Sequence, residues 1–179
     1  MPLSHQSALI GVIAHGLFLL TGNPSAAVDA IASGITAWRS TGATHWMYLA
    51  FLARAYARSD QFDSAWRCIH EAMTAAETTK ERWGEAEVHR AAGEVELMSP
   101  QADTTRAEQY FKRALTVARQ QQAKSWELRA AMNMAQLWRD QGKRKEAREL
   151  LAPVYGWFTE GFDTLDLKEA NKLLGELAS

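Results

Sequence analysis

The chain carries a single cysteine, Cys68, among its 179 residues. One thiol cannot close an intrachain disulfide, so a reducing, cytoplasmic compartment is expected. Cys68 lies beside Ala65 and Ile69 in a helical pattern, where a free thiol acts as a small buried hydrophobe. Neither sign of charge is in excess, and the formal net charge is −1. That balance gives no attraction to nucleic acid or to an anionic membrane. There is no long apolar run either. Ala8 to Leu20 comes nearest, but His15 interrupts it, it is too short to span a bilayer, and no basic residue precedes it. It is expected to be a first helix rather than a signal peptide or an anchor. No stretch alternates apolar and polar residues as a half-buried strand does, and no low-complexity linker divides the chain.

The usual catalytic constellations are missing as well. Gly142-Lys143-Arg144 looks like the end of a phosphate-binding loop, but Leu137 stands where the first glycine must be, and no strand precedes it. No serine sits in a nucleophile elbow, and there is no glycine-rich turn between strand and helix. His89 with Glu87 and Glu94 lacks a metal-ligand spacing. His70 and Glu71 are adjacent and so diverge on a helix. The five histidines are expected to be solvated or packed. The basic run Arg139, Lys143, Arg144, Lys145 and Arg148 is interleaved with Asp140, Glu146 and Glu149, which makes a solvated turn rather than a nucleic-acid face. No enzyme activity, cofactor or metal is expected.

What is present is a repeated helical hairpin. In Ser125 to Trp157, the residues Leu128, Ala131, Met134, Ala135 and Trp138 recur at three- and four-residue steps and form one apolar stripe. Ala147, Leu150, Leu151 and Val154 form a second. Between the stripes, Gly142 stands where a helix C′ position needs φ > 0. The same unit recurs upstream. Ala53, Tyr56, Asp60, Ala65, Ile69 and Ala72 mark one copy; Gly93, Ala107, Phe111 and Ala114 another; Gly22, Ala27 and Ile31 the first. The small residue midway along each first helix falls at His15 or Gly16, Ala53, Gly93 and Ala135, a spacing close to forty residues. The hairpins are expected at about 3–40, 44–78, 81–122 and 124–159, with a last helix over 164–178. All 179 residues are expected to form one all-α domain. Of the seven tryptophans, Trp66, Trp138 and Trp157 read as inward. Trp46, Trp83 and Trp126 lie near the starts of first helices, and Trp38 ends the second helix.

This order of small, aromatic, turn, alanine, bulky and alanine positions resembles the tetratricopeptide repeat. The stretches 37–46, 81–97, 107–131 and 150–174 are similar to the C-terminal repeat region of large bacterial signalling ATPases and adenylate-cyclase-type regulators. The catalytic parts of such proteins lie outside that region. The resemblance implies a right-handed α-solenoid of about four hairpins closed by a C-terminal capping helix. It also implies a non-catalytic role in protein–protein interaction, with partners bound in a concave groove lined by the first helix of each hairpin.

Carried over by position, the groove takes Ala50, Arg54 and Arg58 from the second unit, and Glu87, Arg90 and Glu94 from the third. Arg129, Met132, Gln136 and Arg139 come from the fourth. Arginine grips a carboxylate through two parallel hydrogen bonds, so a protein or peptide with acidic groups suits this lining. The bland alternative is that these residues are only the polar face of amphipathic helices. Two other readings stand beside it. One is a small-molecule sensor whose ligand shifts the packing of repeats. The other is self-association into a homo-oligomer through the apolar N-terminal helix.

Overall fold

The computed structural model describes residues 28–29, 31–35, 46–80 and 82–178. The expected first hairpin, with Trp38 and the apolar helix proposed for self-association, lies mostly outside the described residues. Among the described residues all regular structure is helical. Residues 28–29 and 31–35 are helical, and seven helices follow. They are α1 (Trp46–Arg58), α2 (Phe62–Thr79), α3 (Glu85–Met98), α4 (Thr104–Gln120), α5 (Lys124–Asp140), α6 (Arg144–Tyr155) and α7 (Leu165–Ala178). None is long and apolar enough to cross a membrane.

The turns explain where the helices stop. Gly142 follows α5 with φ of 80°. The Lys143 N–H donates to the Trp138 carbonyl at 2.8 Å, and the Gly142 N–H to the Arg139 carbonyl at 2.9 Å. This is the Schellman closure, which satisfies the last carbonyls of a helix. The same closure ends α1, where Asp60 has φ of 58° and the Gln61 N–H reaches Tyr56. It ends α4 as well, with Gln122 at 54° and the Ala123 N–H on Ala118. Asp103 caps α4 at its other end, its carboxylate accepting from the N–H groups of Thr105 and Arg106.

Two boundaries differ from the sequence expectation. α3 begins at Glu85 rather than near Glu81, because Trp83 and Gly84 form a turn before it. α6 ends at Tyr155 rather than near Thr159. Pro153 brings no N–H to the last turn, and Gly156 closes it through its own N–H to Ala152. The apolar pattern of Trp157 therefore no longer points inward, and that side chain is 57% exposed.

α1 packs on α2, α3 on α4 and α5 on α6; each later pair also leans on the one before, through α1–α3, α2–α3, α3–α5 and α4–α5 contacts. α7 closes the series against both α5 and α6, burying Leu167, Ala170, Leu173 and Leu177. Alanines fill the close approaches: Ala53, Ala65, Ala91, Ala107, Ala131 and Ala147 have no exposed surface. A Cβ on Gly93 would lie 2.4 Å from the ring of Phe111, so here the backbone of α3 rests directly against α4. The buried apolar residues fall into two main clusters. One runs from 28 to 95 and the other from 107 to 177.

Candidate functional site

The richest side-chain chemistry lies along the row α1, α3, α5 and α7. On α3, Glu87, Arg90 and Glu94 are spaced i, i+3 and i+4 around one face. Arg90 donates to both oxygens of Glu87, from Nε at 2.8 Å and from Nη2 at 2.5 Å. Its Nη1 donates to Glu94 at 2.7 Å and to the Asn133 side-chain oxygen on α5 at 2.9 Å. Asn133 in turn donates to Glu94 at 3.3 Å. From α1, Arg54 places Nε 2.5 Å from Glu94 Oε2 and Nη1 3.9 Å from Glu87. The angles make the closer approach an ionic contact rather than an aligned hydrogen bond. Two arginines and two glutamates thus form a neutral cluster that ties three helices together.

Burial decides the character of this cluster. Glu87 is 2% exposed and Arg90 6%. Burial alone would raise the Glu87 carboxyl. The charge and hydrogen bonds of Arg90, with the charges of Arg54 and Arg129, outweigh it and hold Glu87 below the usual carboxylate range. Burial pushes the Arg54 guanidinium down, with Arg90 and Arg58 adding to the effect and Glu94 and Glu87 opposing it. Arg90 is pushed up, since its two glutamates overcome its burial. Removing any one charge would leave another stranded in a poorly solvated place.

The row continues to the C-terminus. Arg129 Nε donates to Asp166 at 2.7 Å, and Arg139 Nη1 to Glu176 at 2.5 Å, both linking α5 to α7. The Arg144 guanidinium donates to the Glu176 backbone carbonyl. Among the described residues, each successive pair in the row α1, α3, α5 and α7 is therefore bridged by charged or amide side chains.

The expected groove residues divide accordingly. Arg54, Glu87, Arg90 and Glu94 come together, but as an internal cluster with their own partners. Arg129 and Arg139 are partly exposed and engaged by α7. Met132 and Ala50 are buried, at 7% and 0%. Arg58 and Gln136 are exposed. Sequence reasoning did not find Asn133, Asp166 or Glu176 as partners. The repeat positions of Arg54, Arg129 and Arg139 and the Glu87–Arg90–Glu94 spacing signalled part of the network. Glu127, also missed, is buried at 5% and held by Arg119 and Lys124 at 2.9 and 2.8 Å. His70 is exposed, and no group of three or more metal-ligating side chains occurs among the described residues.

No protein-family model matches the chain, and no curated protein does either.

Proposed function

We propose that this protein is a non-catalytic interaction module: a tetratricopeptide-like right-handed α-solenoid, cytoplasmic and related to bacterial signalling regulators, that docks a partner segment across α1, α3 and α5. The observation that carries this reading is the side-by-side row of first helices, cross-linked by Arg54, Arg90, Glu94 and Asn133. A face whose side chains are already fixed loses little entropy when a partner covers it. The charge-cancelled cluster supplies rigidity. Contact with the partner falls on the exposed Arg58 and Gln136 and on the outer guanidinium edges of Arg129 and Arg139. An extended segment with carboxylates at intervals suits that spacing of arginines.

The test is capture from native lysate, read by mass spectrometry, with the wild-type chain beside Arg58→Glu/Gln136→Glu. Both positions are exposed, so the variant keeps its helicity. A protein held by the wild type and released by the variant supports docking on this face. Equal retention by both moves the interaction elsewhere on the molecule.

A further inference from the structure

A cleft of about 530 Å³ opens between the C-terminal end of α2, the first turns of α3, and α4. At 100° per residue, Glu85 and His89 lie on the side of α3 opposite Glu87, Arg90 and Glu94. The cleft is therefore separate from the docking face. Met73, Ala76 and Val88 give it an apolar floor. At one side, Arg82 grips Glu85 through Nε at 2.8 Å and Nη2 at 3.2 Å, and Arg113 reaches the same carboxylate at 3.4 Å. These three groups largely satisfy one another and leave one positive charge over.

The remaining polar groups have less to do. Glu77 and Lys80 stand on the exposed rim, and Glu77 adds its charge to that of Glu85 near Arg82. His89 has its Nδ1 buried and without a hydrogen-bond partner. Its Nε2 lies 3.7 Å from Glu85 Oε1. Burial lowers the His89 pKa, and Arg113 and Arg82 add to this against Glu85, so the ring is neutral. The cleft thus presents a carboxylate, an ammonium, a surplus guanidinium charge and an apolar floor.

A plain anion would meet Glu77 and Glu85, and a plain cation would meet Lys80, Arg82 and Arg113. A molecule with both signs and an apolar body meets neither objection. We propose that this cleft binds a free α-amino acid with a large apolar side chain. The ammonium donates to Glu77, the carboxylate accepts from Lys80 and Arg113, and the side chain covers Met73, Ala76 and Val88. The volume lies within the range of ordinary small-molecule sites and leaves room for bridging water.

Isothermal titration of the full chain with L-phenylalanine and L-leucine tests this. The companions are 3-phenylpropionate, which lacks the ammonium, and phenethylamine, which lacks the carboxylate. Saturable binding of at least one amino acid is expected, with each companion weaker by about tenfold or more, as the loss of one charge-assisted contact implies. Glu77→Gln and Lys80→Gln should each weaken the amino acid by a similar factor while circular dichroism stays unchanged. Both positions are exposed, so neither change endangers the fold. The proposal is overturned by the absence of saturable heat up to about 10 mM, the weak end of specific binding. It is equally overturned if the companions bind as well as the amino acid, or if both variants bind it like the wild type.

Discussion

At the residue scale, Gly93 shows a conflict that magnitudes resolve. Glycine inside a helix costs about 1 kcal/mol relative to alanine. Gly93→Ala would thus stabilise α3 if nothing stood in the way. Phe111 does stand in the way, at 2.4 to 2.9 Å from the added Cβ, and its ring has no exposed surface to move into. Overpacking of a tight core costs about 1–3 kcal/mol, so the clash wins. Urea unfolding should show Gly93→Ala less stable than the wild type. Adding Phe111→Leu should cost less in that background than in the wild type, because the two changes share one contact.

Arg90 is the other decisive residue. Arg90→Met leaves Arg54 as the one arginine in contact with Glu87 and Glu94, and breaking a buried pair costs about 3–5 kcal/mol. The sign of its pH dependence follows from Glu87. A carboxyl held below its unfolded value stabilises the fold above about pH 4.3, the unfolded carboxylate value, and that stabilisation is lost as pH falls through the lower folded value. The wild type should therefore weaken in acid. The deficit of Arg90→Met relative to the wild type should shrink from pH 7 to pH 4, because protonating Glu87 removes the stranded charge. Thermal unfolding at the two pH values measures this, and an unchanged deficit would place the cost in packing instead.

At the scale of elements, three helices end in one backbone shape with three different residues at the left-handed position. Gly142 adopts it at no steric cost, whereas Asp60 and Gln122 carry a Cβ into it. A left-handed residue other than glycine costs roughly 1–2 kcal/mol, with short polar side chains at the low end. Gln122→Gly should raise the urea midpoint and Gly142→Ala should lower it. No side chain lies within 4 Å of the Cβ position at 142, so the second effect is conformational alone. Asp103→Ala should cost about 1 kcal/mol by freeing two N–H groups of α4.

These elements also show what a sequence can carry. The stripes of Leu128 to Trp138 and of Ala147 to Val154 are local, so α5 and α6 were legible, and so was the left-handed turn at Gly142. The early end of α6 was not, because the apolar pattern runs on through Trp157 past Pro153. The Glu87–Arg90–Glu94 triad was visible as spacing on one helix. Arg54 was placed on the same face by its repeat position, but its pairing with Glu94 was not legible, nor was Asn133, since both reach the triad only through the rotation at which α1 and α5 pack. The cleft was not legible either. It depends on Val88, Met73 and Arg113 meeting from three helices.

On the scale of the whole molecule, the two main apolar clusters meet at α3 and α4, and each helix pair contacts mainly its neighbours. In such a series, stability is close to a sum of local terms and neighbour terms. Leu151 has no exposed surface and sits in the C-terminal cluster. Leu151→Ala should cost about 2–5 kcal/mol. Native-state hydrogen exchange should show protection lost first across α4 to α7, with α1 and α2 keeping theirs. Uniform loss across all helices would mean a single cooperative core.

The indoles of Trp83 and Trp126 lie 6.0 Å apart between ring centres, inclined at 32°. At that separation their transition dipoles couple, and the pair splits the tryptophan absorption into a circular-dichroism couplet. Trp83 directly follows Arg82, whose guanidinium borders the cleft. The molecule thus carries its own optical gauge: a shift of the turn ahead of α3 changes the angle between the two indoles and, with it, the amplitude of the couplet, and no dye need be attached.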